Sequence, residues 1–132
     1  MSTRISGPFE VKLAPQPMSE QVESPPLGRL SIDKRFHGEL EATSRGEMLS
    51  AGTDVKGSAG YVAIERVTGR LAGRSGSFVL MHTGVMNRGV PQLTISVVPD
   101  SGTDGLVGLA GTMSIVIADG KHTYEFEYTL GA

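Results

Sequence analysis

The chain has 132 residues, a formal net charge of −2, 18 glycines and no cysteine. That length suits one domain and falls short of an α/β barrel, which needs about 250 residues. The missing cysteines exclude disulfides, zinc–thiolate sites, Fe–S clusters and thiol catalysis, and a slightly acidic chain without a basic face points away from nucleic acid.

The first predicted strand runs from Ile5 to Leu13, with Phe9, Val11 and Leu13 at period two. A proline-containing loop over residues 14–26 follows, ending on Pro25-Pro26, and its position suits a lid. Strand two, Leu27 to His37, carries Leu30, Ile32, Lys34 and Phe36 on one face, and Ser31, Asp33, Arg35 and His37 on the other. Strand three spans Glu39 to Ser50, with Leu40 and Ala42 together and Gly46 at a bend. Strands four (Tyr61 to Leu71) and five (Arg74 to Val85) form a hairpin around Gly73. Strand six, Gln92 to Val98, alternates Leu93, Ile95 and Val97. Strand seven, Leu106 to Ala118, leads through the Asp119-Gly120 hairpin turn into strand eight, Lys121 to Leu130.

Eight evenly spaced strands without an amphipathic helix predict an all-β meander. Glycines inside the strands favour a closed eight-stranded antiparallel β-barrel over a two-sheet sandwich. No apolar run approaches the roughly 18 residues of a membrane span, and no apolar leader is visible, so the expected location is cytoplasmic, with no membrane partner.

Nucleotide-binding glycine motifs, nucleophile elbows and zinc-protease signatures are absent, and the three histidines show no metal-ligand spacing. No cofactor or metal is therefore expected. The His37-x-Glu39 pair lacks the cysteines that a deaminase site needs.

Strand eight is the sharpest pattern. His122, Tyr124, Phe126, Tyr128 and Leu130 share one face, opposite Lys121, Thr123, Glu125, Glu127 and Thr129. The aromatic face points inward, either as core filling or as the lining of a ligand cavity. In strand five, Phe78, Leu80 and His82 share a face, which turns His82 inward. In strand four the Tyr61/Ala63/Glu65/Val67 and Val62/Ile64/Arg66/Thr68 faces carry one charge each, so alternation leaves the direction of Glu65 open. A carboxyl pointing into an apolar interior is expected to have a raised pKa, as a general acid or base needs.

The run from Gly57 to Gly84, with Tyr61, Glu65, Phe78 and His82, resembles the central motif of the domain of unknown function 3224 family of small bacterial proteins. So do Val97 to Gly102, Leu109 to Met113 and Asp119 to Tyr124; the resemblance covers about residue 7 to 130, least at the proline loop. It implies a barrel similar to plant allene oxide cyclase, a type that also hosts cyclases of natural-product pathways and associates through its outer faces, as a dimer or trimer. The site-like positions that match are Tyr61, Glu65, His82, His122 and Tyr124. The family carries no established activity to transfer, and fold likeness assigns none.

The resulting expectation is a barrel that binds a compact, mostly apolar molecule, with a cofactor-free isomerase, cyclase or proton-transfer activity as its enzymatic form. Glu65 would act as base or acid and His82 as its partner. Tyr61, Tyr124 and His122 would contact the ligand, and Phe78, Phe126 and Tyr128 would form walls. A carrier or sensor without turnover, and a structural barrel with a packed interior, are the alternatives.

Overall fold

The computed structural model describes residues 2–19 and 26–131. Its strands are β1 (Thr3–Gln16), β2 (Leu27–Phe36), β3 (Leu40–Gly52), β4 (Ala59–Leu71), β5 (Arg74–Asn87), β6 (Val90–Val97), β7 (Leu109–Ala118) and β8 (Lys121–Leu130). They pair in chain order, and β8 returns to β1, so the sheet is a closed antiparallel barrel. Following the pairing from Pro15 through Leu30, Met48, Ala63, His82, Ile95, Met113 and Phe126 arrives at Ile5, displaced along the starting strand. This stagger is the geometric counterpart of the strand tilt of roughly 35–45° that closes a barrel.

Three connections are two-residue hairpins: Ala72-Gly73, Arg88-Gly89 and Asp119-Gly120, each with positive φ at both residues. That is the type I′ geometry whose twist matches antiparallel strands. Several strand boundaries lie one or two residues from the sequence expectation, and two lie further from it. β1 continues through Ala14 and Pro15, which pairs with Leu30 near the strand's end, where a missing N–H costs little. β7 begins only at Leu109, because Asp104–Leu106 forms a short 3-10 turn instead. Of the expected lid over residues 14–26, residues 20–25 lie outside the described residues.

The unbroken registers fix every inward position and divide the barrel into two halves. At the end formed by the C-termini of β2, β4, β6 and β8, Phe36, Leu71, Phe78, Phe126 and Tyr128 are buried, and Leu106 of the 3-10 turn plugs the opening. Thr103 holds that plug: its N–H bonds to Ser77 O at 2.8 Å, and its side chain accepts from Ser77 N–H at 3.0 Å. Each such large apolar side chain contributes about 1.5–3 kcal/mol by burial. At the opposite end the inward residues open to solvent, with Leu13 at 46%, Leu93 at 42% and Ile117 at 65% exposure. Val11, Leu30, Met48, Tyr61, Ile115 and His122 are half-buried between these extremes. The interior is thus a cup, packed at its base and open at its mouth.

Candidate functional site

Neighbouring strands bring four polar side chains together at the floor of the cup. Lys34 on β2 pairs with Ser44 on β3, while Glu65 on β4 and His82 on β5 are diagonal neighbours. Small residues make room for them. Gly46 stands across from Glu65 and Ala63 across from His82. A Cβ at position 46 would lie 2.0 Å from Ile64 O and 2.6 Å from Glu65 Cα, so only glycine permits this approach.

Glu65 faces inward and is fully buried, which resolves the open orientation of strand four. Its Oε1 accepts from Ser44 Oγ at 2.6 Å. Its Oε2 accepts from Lys34 Nζ at 2.8 Å and His82 Nε2 at 2.5 Å. The Lys34 ammonium also lies 5.6 Å from the centroid of Phe9 and 5.9 Å from that of Phe36, two cation–π contacts that soften its burial.

The expectation of a raised carboxyl pKa is corrected here. Burial does push Glu65 upward, but the hydrogen bond from His82, the charge and hydrogen bond of Lys34, and the Ser44 hydroxyl outweigh it. The carboxyl is held down at about 2. Glu65 is therefore an ionised anchor with its oxygens engaged, and not a base or acid poised near neutrality.

This anchoring defines His82. An ionised carboxylate only accepts, so His82 Nε2 carries the hydrogen and, in the neutral ring, Nδ1 is the acceptor. Tyr61 Oη lies 3.4 Å from that Nδ1. Burial, with the charge of Glu65 behind it, pushes the Tyr61 phenol above its usual range, so it stays a donor. Glu65, His82 and Tyr61 thus form a relay that climbs from the floor toward the mouth, and a carboxylate that orients an imidazole is a known means of setting its tautomer and stabilising its charged form.

The remaining sequence candidates divide between the halves. His122 is half-buried and sits edge-on to Phe9, with ring centroids 5.3 Å apart. Tyr124 is committed elsewhere: its hydroxyl donates to His37 O at 2.7 Å and accepts from Leu40 N–H at 3.3 Å, tying the β2–β3 turn to the barrel. Phe78 stacks on Phe126 and Phe126 on Tyr128, filling the closed half rather than lining the cup. Lys34 and Ser44 were not among the sequence candidates. Among the described residues, no cluster of acidic and histidine side chains is arranged to hold a metal ion.

Comparison with known proteins agrees with this architecture. The family model described as protein of unknown function (DUF3224) matches residues 5–128, and the chain belongs to that family. A solved structure of a DUF3224 protein of unknown function from Shewanella oneidensis MR-1 is 53% identical, with a TM-score of 0.96 over 100% of this chain and 99% of that one. No curated protein matches the chain.

Proposed function

We propose that this member of the DUF3224 family is a small-molecule-binding barrel whose open half receives a compact, mostly apolar ligand above the Lys34–Glu65–His82 floor. The carrying observation is the gradient of burial along the inner face. One half is packed solid, while the other has aliphatic walls over a few placed polar groups, the usual make-up of a ligand pocket. The enzymatic form of this reading is cofactor-free proton transfer. His82 Nδ1 takes the role of base that the sequence suggested for Glu65, Glu65 orients it, and Tyr61 donates to the ligand.

A carrier without turnover is the second reading. It is favoured by the fact that the one carboxylate at an inward strand position among the described residues is fully engaged by protein donors.

The test is binding at the inner face. Native mass spectrometry of protein purified from its host is expected to show a retained small molecule. Methyl-labelled NMR is expected to show an apolar probe shifting the methyl signals of Leu30, Met48, Leu93 and Ile115. No retained mass, together with shifts confined to the outward methyls of Val62, Ile64 and Met81, would overturn the proposal.

A further inference from the structure

We infer that the open half takes a neutral carbonyl compound bearing a hydrogen on the adjacent carbon, and that Tyr61 and His82 enolise it. The inference deepens the binding proposal and rests on it.

The hydrogen-bonding inventory of the cup sets the ligand class. Glu65 is the only acid at an inward strand position among the described residues. Its Oε1 is taken by Ser44 and its Oε2 by Lys34 and His82. A ligand entering from the mouth passes the half-buried His122 ring and meets, at the floor, the Tyr61 hydroxyl and spare Lys34 N–H groups as donors; the Tyr61 hydrogen serves His82 Nδ1 until a ligand oxygen takes it, which frees Nδ1 as the acceptor there. An oxygen acceptor next to an acidic C–H matches that array. An amine head would set donor against donor. A carboxylate would bring a second negative charge to a floor where Lys34 is already balanced by Glu65.

The Tyr61 ring is fixed for this task. It lies against Gly84, where a Cβ would come within 2.2 Å of Cε1, and its hydroxyl is held beside His82 Nδ1. In the step proposed, the carbonyl oxygen accepts from Tyr61 O–H. The proton on the neighbouring carbon passes to His82 Nδ1. The C–H electron pair becomes the C=C bond, and the C=O π pair moves onto oxygen, where the Tyr61 hydrogen bond stabilises it. The imidazolium is held by Glu65 at Nε2. Return of the proton to the same carbon restores the ketone, and return to a conjugated carbon isomerises it. No other reactant is required.

The experiment uses octan-2-one in D2O, with octanoate, octylamine and octane for comparison. Binding is read from the inner methyls of Leu30, Met48, Leu93 and Ile115, and deuterium incorporation beside the carbonyl is read by proton NMR. The ketone is expected to shift those methyls at lower concentration than octanoate, octylamine or octane. Exchange is expected to run on the order of a hundredfold or more above buffer. Y61F and H82Q, each shown to be folded by its amide spectrum, are expected to lose the acceleration. Ketone binding at the inner methyls with exchange no faster than buffer overturns enolisation and leaves the binding proposal standing. Equal or tighter binding of octanoate or octylamine overturns the ligand class. If no compound moves the inner methyls, the binding proposal falls and this inference with it.

Discussion

The ring of Tyr61 lies directly across the β4–β5 pair from Gly84, so close that a methyl group at position 84 would meet the ring at 2.2 Å. Tyr124 repeats the arrangement opposite Gly7, where a Cβ would lie 3.0 Å from its Cε2, whereas Tyr128 stands opposite Gly111 with its backbone and Cβ, not its ring, closest to the glycine. An aromatic ring covering a bare cross-strand backbone lets a curved sheet carry glycine without exposing it. Gly84→Ala is therefore expected to push the Tyr61 ring off its seat, at a cost of about 1–3 kcal/mol. Urea unfolding would measure the loss, and the 15N shift of His82 Nδ1 would report the broken contact with Tyr61. An unchanged His82 signal would show that the glycine does not set the position of the ring.

The Lys34–Glu65 pair is expected to behave as a unit. Glu65→Gln leaves a buried ammonium without its counter-charge, and breaking such a pair costs about 3–5 kcal/mol. Lys34→Met leaves the carboxylate to His82 and Ser44 alone. In the K34M/E65Q double variant no charge is stranded, and the side-chain amide introduced at position 65 can still accept from His82. The double variant is expected to be no less stable than E65Q alone, with a coupling of about 1–3 kcal/mol between the two sites. Additive losses in denaturant titrations would contradict a shared, desolvated ion pair.

Acid should find the same pair. The Glu65 carboxyl titrates near its ordinary 4.5 when unfolded and at about 2 when folded, so folding favours its ionised form. The resulting stability is complete above the unfolded value and is lost as pH falls from about 4.5 toward 2, on the order of 3 kcal/mol in all. K34M/E65Q lacks this contribution. The stability difference between the natural protein and the double variant is expected to shrink across that window, as measured by urea midpoints at successive pH values. A constant difference would show that Glu65 is not held ionised by folding.

Much of this site could be read before the structure, and what could not has a physical reason. Alternation set Lys34 on the same face as Leu30, Ile32 and Phe36, and that face is the inner one. A lysine among core residues demands a carboxylate partner, and Glu65 is the acid available at an inward position among the described residues. That mutual demand was the signal for both the orientation of Glu65 and the role of Lys34. The depressed carboxyl could not be read in the same way. It depends on Lys34, Ser44 and His82 converging from three strands, which only the register of the closed barrel determines. The split into packed and open halves was equally hidden. Phe78 and Phe126 follow the same period-two pattern as Leu93 and Ile117, and periodicity tells inside from outside but not base from mouth.

That split separates two tyrosines that look alike in sequence. Tyr124 is fully buried in the packed half, and its hydroxyl serves the backbone at His37 and Leu40. Removing it leaves a buried carbonyl and amide without that partner, at a cost of about 1–3 kcal/mol. Tyr61 is half-buried near the mouth, and His82 is the one hydrogen-bond partner of its hydroxyl among the described residues. Tyr124→Phe is therefore expected to lower stability measurably in thermal or urea unfolding while leaving probe binding at Leu30, Met48 and Leu93 intact. Tyr61→Phe is expected to do the reverse: near-native stability, with weakened binding of a carbonyl probe and little change for an alkane. Both hydroxyls are held protonated by burial, so the contrast should persist across neutral pH. If the two variants moved stability and binding together, the division of the interior into a structural base and a receptive mouth would be wrong.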